Sequence, residues 1–142
     1  MLHQIDIKVR GYHLDFYGHV NNARYLEFLE EARWAYFEET HGLEPFIEKG
    51  LAFVVVNINI NYRRPAVMNE LLTVHTHIKH IGNRSGVIRQ VITLKDSDVV
   101  VADADVTFAV YDEKQGAAVV ISGGVRAHLE SLLLSLPNTE ET

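Results

Sequence analysis

The feature that most constrains the fold is the run of residues 52–64, in which apolar and polar side chains alternate with little interruption. Alternation with a period of two puts successive side chains on opposite faces of an extended chain, so the run predicts a half-buried β-strand. Pro65 ends the run, because proline lacks the N–H that a strand interior uses. The expected inward side chains are Val54, Val56, Ile58, Ile60 and Tyr62, and the expected outward ones are Asn57, Asn59, Asn61 and Arg63.

The remaining segments predict one long helix and a set of antiparallel strands. A first strand alternates over residues 5–9, and a helix is expected from Asn21 or Asn22 to about His41, with Gly42 as its stop. Further strands are expected over 72–78, 87–94 and 100–110, with a short sixth strand within 116–123 and a terminal amphipathic helix over 125–136. Hairpin-length turns between strands that follow a helix indicate the α+β class. We therefore predict a single domain over residues 1–136 and a frayed tail over 137–142.

The composition excludes several classes of function. The chain has 142 residues, a formal net charge of -6 and no cysteine. The acidic balance argues against nucleic acid as a partner, because phosphate contacts need a basic face. The lack of cysteine excludes disulfides, thiolate nucleophiles and cysteine-ligated zinc, and it suits a cytoplasmic protein. The first ten residues lack the apolar stretch of a secretory leader, and no apolar run approaches the ~20 residues of a membrane span.

The segment HTHIKH is a candidate metal site. His75 and His77 share one face of a predicted strand, whereas His80 lies on the opposite face or in the turn. Since no nearby acid completes a ligand set, solvated strand histidines are the favoured interpretation and no metal is predicted. The serine hydrolase motif G-x-S-x-G and the phosphate-binding motif G-x-x-x-x-G-K-[ST] do not occur.

The stretch LDFYGHVNNARY, residues 14–25, places more polar groups before the helix than capping requires. Asp15 supplies a carboxylate that can act as a base or a nucleophile, and a histidine such as His19 can transfer a proton near neutral pH. The first turn of the helix supplies unpaired N–H groups and about half a positive charge. A base beside such donors is the minimum for acyl transfer, because the donors stabilise the carbonyl oxygen as it becomes anionic. A capping loop with a spare acid is the alternative.

The same stretch contains the motif D-x-x-G-H-V-N-N-x-x-Y, which resembles the signature of hotdog-fold acyl-CoA thioesterases. Its members here are Asp15, Gly18, His19, Val20, Asn21, Asn22 and Tyr25. The segments EEAR (30–33) and NYRRPA (61–66) extend the resemblance, and the strand order fits the same fold along most of the chain. Within the 4-hydroxybenzoyl-CoA thioesterase-like superfamily, the bacterial long-chain acyl-CoA thioesterase III type is especially similar in three stretches: VRGYHLD, HVNNARYLEFLEEARW and FVVVNININYRRPAV. The resemblance implies one long central helix wrapped by a five- to six-stranded antiparallel sheet. It also implies homodimers joined edge to edge, often assembled as homotetramers.

The resemblance further implies hydrolysis of fatty acyl-CoA, with medium to long chains favoured, to free fatty acid and coenzyme A. Asp15 corresponds to the family's catalytic acid, as general base or nucleophile, and the backbone N–H of Asn22 to the donor that polarises the thioester carbonyl. His19 matches a histidine of the similar plant acyl-carrier-protein thioesterases. Those plant enzymes place an asparagine where this chain has Tyr17, so the group that assists Asp15 stays open. No cofactor is implied.

Coenzyme A carries phosphates, so its binding requires cations near the protein surface. Arg63 and Arg64 lie at the end of a predicted strand, and Arg84 and Ser85 lie in a predicted hairpin turn. The alternative for each of these residues is an ordinary polar position at a strand end, with no role in binding. Tyr25 is a candidate lining of the apolar slot for the acyl chain, with packing in the core as its alternative.

Three rival functions remain open at this point. A non-catalytic acyl-CoA-binding regulator would be supported by an attached DNA-binding segment, for which this chain has no room. An enzyme acting on acyl-carrier-protein thioesters would need a basic rim to meet an acidic carrier, which the net charge of -6 disfavours. A hydratase of the same fold would need a proline between an aspartate and a histidine, and none of the three prolines has that setting.

Overall fold

The computed structural model describes residues 3–134, and its elements confirm the predicted α+β class. The helices are α1 (Asn22–Thr40), α2 (Glu44–Glu48) and α3 (Gly123–Leu134), and a 3-10 turn covers Gly11–His13. The strands are β1 (His3–Lys8), β2 (Leu51–Tyr62), β3 (Leu71–Ile81), β4 (Ser85–Leu94), β5 (Val100–Asp112) and β6 (Ala117–Ala118). No helix in this part of the chain is long and apolar enough to cross a membrane. The tail predicted for residues 137–142 lies outside the described residues.

The strands form one antiparallel sheet in the order β1-β3-β4-β5-β2, and β6 pairs with the end of β5. β1 and β2 are therefore the edges of this sheet. The hairpin-length connections β3–β4 and β4–β5 agree with the antiparallel prediction. Apolar side chains from the sheet and from the helices join in one buried cluster. The core thus lies between one face of the sheet and the helices packed on it.

β2 departs from the alternation expected over residues 52–64. Its register with β5 shifts by one residue after Val55, which leaves Val56 as the extra residue of a β-bulge. A one-residue shift exchanges the two faces of a strand. Val55 packs against the core, whereas Val54 and Val56, expected inward, are 36% and 54% exposed. The expected face returns to the core at Ile58 and Ile60, so the prediction is wrong before the bulge and correct at these two residues after it. Tyr62, also expected inward, is 43% exposed.

α1 begins and ends within one residue of the expected positions. The side chain of Asn21 caps the helix by accepting the N–H of Ala23 at 2.8 Å. At the other end His41, and not Gly42, adopts the left-handed conformation, with φ of 56°. Gly42 is needed for a different reason, because a Cβ there would lie 2.5 Å from the ring of Phe37.

The expectation of one long helix is incomplete. α2 forms where a loop was expected, since Pro45 lies in its first turn, where the missing N–H costs no hydrogen bond. α3, which the sequence predicts as a terminal helix, contacts β3 as α1 does. Its Val125 and Leu129 belong to the same buried cluster as Leu29 and Ala32 of α1. Two helices therefore share the core that one was expected to fill.

Replacing Gly86 with alanine tests the packing of β4 against β5. A Cβ at this position would lie 2.4 Å from Cζ of Phe108 and 3.0 Å from the carbonyl oxygen of His80. Overpacking of this kind costs about 1–3 kcal/mol, so Gly86→Ala should lower the free energy of unfolding measured in urea. Gly124→Ala is the control, because nothing lies within 4 Å of its Cβ. Equal stability of the two variants would contradict the packing described here.

Candidate active site

The loop that carries Asp15 is held by backbone hydrogen bonds. The N–H of Asp15 donates to the carbonyl of His19 at 2.7 Å, which closes the loop on itself. The N–H of Val20 donates to the carbonyl of Ala66 at 2.9 Å, which ties the loop to the segment after β2. Gly18 turns the chain with φ of 78°, a conformation that favours glycine. These bonds place the loop beside the N-terminus of α1.

The Asp15 carboxylate uses one oxygen for the loop. Its Oδ1 accepts the N–H of Tyr17 at 2.8 Å and the N–H of His19 at 3.3 Å. Its Oδ2 accepts no hydrogen bond from residues 3–134. The side chain is half-buried. A capping loop accounts for Oδ1, and it leaves Oδ2 available to water or to a ligand.

The N-terminus of α1 presents a backbone donor to the same region. The first-turn N–H groups of Ala23 and Arg24 are used by the side chain and the carbonyl of Asn21, at 2.8 Å and 2.9 Å. The N–H of Asn22 has no acceptor in the described part of the chain. The carbonyl of Asn22, which belongs to the next peptide group, accepts the hydroxyl of Tyr62 at 3.1 Å and ties the first turn of α1 to the end of β2. An N–H at a helix N-terminus favours a negatively charged oxygen.

Asp15 and Asn22 line one cavity of about 340 Å³, which we call the Asp15 cavity. The residues that line it are Asp15, His19, Val20, Asn22, Tyr25, Tyr62, Arg63, Arg64 and Pro65. Six of the eight site residues predicted from the sequence are among them. A cavity of this volume falls within the range of small-molecule binding sites.

Two tyrosines form the wall of the cavity between α1 and the end of β2. Tyr25 is 2% exposed, and its hydroxyl accepts the N–H of Ala66 at 3.2 Å. Burial raises the pKa of Tyr25, so the phenol stays neutral. The ring centroids of Tyr25 and Tyr62 lie 5.5 Å apart. Sequence reasoning missed Tyr62 as a site residue, because the strand alternation assigned it to the core.

Arg63 and Arg64 reach the cavity as members of ion pairs. Nε of Arg63 donates to Asp103 at 2.7 Å, and Nη2 of Arg64 donates to Glu70 at 2.9 Å. These hydrogen bonds raise the pKa of both arginines. The side chain of Arg63 is 54% exposed. Sequence reasoning missed Asp103, which lies 40 residues from Arg63 along the chain, and Glu70, which lies six residues from Arg64 on the other side of Pro65.

Arg84 and Ser85 do not line the Asp15 cavity. Tyr62, at the cavity, pairs with Ala102 of β5, whereas Ser85 pairs with Ala109, seven residues further along that strand. At about 3.4 Å per residue this separation is roughly 24 Å. Within this chain, Arg84 and Ser85 are therefore not brought together with the other six predicted site residues.

Comparison with known proteins gives a consistent family. The matching family model is described as the thioesterase-like superfamily, and it covers residues 9–129. The chain is 52% identical over 130 residues to the long-chain acyl-CoA thioesterase FadM of Escherichia coli strain K12, which is 92% of this chain and 98% of that protein.

Solved structures agree with that family. The probable thioesterase YbaW from Escherichia coli has a TM-score of 0.87 and 53% identity, covering 91% of this chain and 97% of that one. The Staphylococcus aureus protein SAV2348, solved in complex with CoA, has a TM-score of 0.84 at 13% identity, covering 97% of this chain and 87% of that one. At that identity the likeness shows the fold alone.

Asp103, which orients Arg63 at the rim of the cavity, generates a prediction about pH. Its side chain is 8% exposed and also pairs with Arg89 at 3.3 Å. Hydrogen bonds to charged groups contribute about 1.5–3 kcal/mol, so Asp103→Asn should lower the free energy of unfolding by that order at neutral pH.

The Arg63 hydrogen bond lowers the pKa of Asp103 below its ordinary 3.8. The contribution of Asp103 to the free energy of unfolding is therefore fully present above pH 3.8, the ordinary pKa, and is lost as the pH falls through the lower pKa of the folded state. Urea unfolding of both proteins from about pH 7 to pH 3 should show the stability difference shrinking at the acidic end. Asp98→Asn, at an exposed acid, is the control. A difference that stays constant with pH would contradict the prediction.

Proposed function

Because this chain belongs to the thioesterase-like superfamily, we propose that it hydrolyses fatty acyl-CoA thioesters, with medium to long chains favoured, to free fatty acid and coenzyme A. Its fold is the hotdog thioesterase fold, a curled antiparallel sheet with helices. The observation that carries the proposal is that Asp15 and Asn22 line the same cavity, while Asp15 Oδ2 and the Asn22 N–H have no partner among residues 3–134. The E. coli relative's name, a long-chain acyl-CoA thioesterase, supports the substrate class.

The proposed reaction breaks the bond between the acyl carbon and the sulfur of coenzyme A. The Asn22 N–H donates to the thioester oxygen, and one such donor is typically worth about 3 kcal/mol in the barrier. Asp15 either takes a proton from the attacking water or attacks the acyl carbon itself, forming an anhydride that water then opens. By both routes the acyl group leaves with the oxygen of water, and the sulfur leaves with a proton. His19, which lines the same cavity, is the proposed donor of that proton.

The proposed binding of coenzyme A phosphates begins with Arg63. Its Nε and Nη2 are occupied by Asp103, but Nη1 has no acceptor among the described residues, and the side chain is 54% exposed. Arg64 is a weaker candidate, since both its terminal nitrogens donate to Glu70. Arginine suits phosphate because its planar fork donates in two directions. Tyr25 is proposed to line the start of the acyl path.

We further propose a homodimer, or a homotetramer built from two such dimers, joined at the β2 edge. β2 pairs with β5 on one side and has an unpaired edge on the other, and its exposed Val54 and Val56 add an apolar surface on the sheet beside that edge. Unpaired strand edges are ready templates for association. Antiparallel pairing of two β2 strands centred near Val56 would place the turn with Arg84 and Ser85 of one subunit near the Asp15 cavity of the other. Cytoplasmic placement, expected from the sequence, stays a prediction.

A second candidate substrate is an acyl-carrier-protein thioester. An acidic carrier would meet a chain of net charge -6, and the cations at the cavity already pair with Asp103 and Glu70. Coenzyme A is therefore the favoured carrier. The third candidate, a non-catalytic acyl-CoA-binding protein, is separated by the next experiment.

The first test is thiol release from acyl-CoA of several chain lengths, with wild type beside Asp15→Asn. Loss of a base or nucleophile should lower kcat/KM at least ~100-fold. The absence of cysteine in the chain removes the thiol background. Glu31→Gln, at an exposed acid on α1, is the matched control and should keep full activity. Circular dichroism confirms that each variant is folded.

The outcomes separate the candidates. If wild type and Asp15→Asn are equally inert yet both bind acyl-CoA, the protein is a binding protein and the catalytic proposal is wrong. If acyl-carrier-protein thioesters are cleaved faster than acyl-CoA, the proposed substrate is wrong while the role of Asp15 stands.

A second test asks whether Arg84 serves the neighbouring subunit. Asp15→Asn and Arg84→Ala homodimers should each be impaired, whereas a mixed dimer should recover one site with both groups intact. Subunit exchange followed by thiol release, with oligomeric state measured by light scattering, checks this. Activity of the mixture equal to the average of the two parents, despite exchange, would contradict the shared site.

A further inference from the structure

A second cavity lies between α1, α2 and β2. It has a volume of about 340 Å³, and we call it the Arg33 cavity. Its walls are largely apolar and include Trp34, Phe37, Phe46 and Phe53. It shares no lining residue with the Asp15 cavity. Within one subunit it is therefore a separate space, and none of its residues is among the catalytic or substrate-binding residues proposed above.

The unusual member of this cavity is Arg33. The residue is 9% exposed, and its hydrogen bond, from Nη1 to Oε1 of Gln90 at 3.1 Å, goes to a neutral group. No carboxylate among residues 3–134 forms an ion pair with it. A buried charge ordinarily has a charged partner, because desolvation costs several kcal/mol. The missing anion is the feature that requires explanation.

The remaining guanidinium N–H groups are not sealed inside the core. Among residues 3–134, two side-chain polar atoms are both inaccessible to solvent and without a hydrogen-bond partner, namely His3 Nδ1 and His128 Nε2. No nitrogen of Arg33 is in this group, so those without a partner remain accessible. Arg33 also lines the cavity. Its unused donors therefore face space that a ligand can enter. Burial lowers the pKa of Arg33 without neutralising an arginine under ordinary conditions.

The chemistry of the cavity fits a ligand with an anionic end and an apolar body. The guanidinium fork matches a carboxylate, which can accept two parallel hydrogen bonds. Aromatic walls suit an alkyl chain, which gains free energy by leaving water. Glu30 is the carboxylate among the lining residues, and its charge acts to raise the pKa of Arg33 against the larger effect of burial. It is exposed and makes no direct contact with Arg33 among the described hydrogen bonds and ion pairs, so the guanidinium fork has no carboxylate on it.

We propose that the Arg33 cavity binds a free medium-chain fatty carboxylate, with its carboxylate on Arg33 and its alkyl chain against the aromatic walls. Such a ligand has the chemistry of the product of the proposed hydrolysis. The binding itself does not depend on that reaction. Occupation of this cavity would give the protein a second site through which fatty acid acts on it.

Trp34 provides the measurement. It is the one tryptophan in the chain, it lines the cavity, and it is 58% exposed. Decanoate and decan-1-ol, each below its aggregation limit, are titrated while Trp34 fluorescence is recorded. Decanoate should bind about tenfold or more tightly than decan-1-ol, the size expected of charge-assisted hydrogen bonds. This comparison needs no variant.

Variants assign the preference to Arg33. Arg33→Met should weaken decanoate binding at least ~10-fold and leave decan-1-ol binding unchanged, since the apolar walls remain. Arg33→Lys keeps the charge but loses the planar fork of donors, so its affinity for decanoate should lie between those of wild type and Arg33→Met. Arg24→Met, at a partly exposed arginine of α1 that pairs with Glu27, is the control and should bind both ligands as wild type does. Asp15→Asn should also leave decanoate binding unchanged.

Several outcomes would overturn the proposal. Equal affinity of decanoate and decan-1-ol in wild type would mean an apolar slot without anion recognition. No change in Trp34 fluorescence with either ligand would mean that the cavity does not accept them. A change of oligomeric state in Arg33→Met, with no decanoate preference in wild type, would place the missing anion in a second copy of the chain. A changed affinity for decanoate in Asp15→Asn, in either direction, would place the ligand in the Asp15 cavity. Failure of thiol release alone would leave this binding proposal standing.

Discussion

The position of α1 over the sheet governs the rest of the structure, and a buried amide sets it. Gln90 of β4 is fully buried, and its Nε2 donates to the carbonyl of Leu29 and to Oγ1 of Thr76, both at 3.0 Å. Its Oε1 accepts from Arg33. An unsatisfied buried polar group costs about 1–3 kcal/mol, so α1 cannot slide along the sheet without losing these bonds. Apolar contacts around them supply stability, and the amide supplies register.

Two cavities result from that register, at two places along one helix. The N-terminus of α1 meets the end of β2, where the Tyr62 hydroxyl holds the Asn22 carbonyl. Eleven residues later, roughly 17 Å at 1.5 Å per residue, Arg33 meets the opposite end of β2 and α2. The first cavity presents a carboxylate and a backbone N–H, and the second presents a cation among aromatic walls. Their chemistry differs because the helix presents its terminus in one and its side in the other.

Local signals in the sequence predicted much of this molecule. The bounds of α1 follow from the capping side chain of Asn21 and from apolar spacing, both of which act over a few residues. The strands follow from alternation, and the loop motif placed Asp15 and Asn22 beside each other because they are close in the chain. The sequence-based predictions were wrong where contacts between distant segments determine the structure. The bulge at Val56 exchanges the inward and outward faces in the first half of β2, and no residue near Val56 predicts it.

The sequence by itself determined the element types, the α+β class and the cluster of polar groups before α1, because propensity, capping and period are properties of neighbouring residues. Tertiary structure alone decided which charged side chains form ion pairs and which do not. Asp103 and Glu70 occupy the arginines of the first cavity from 40 and 6 residues away. Arg33 looks like any helix-surface arginine in the sequence, and folding buries it beside a neutral partner. Burial and pairing depend on what packs across the core, which no short stretch of chain specifies.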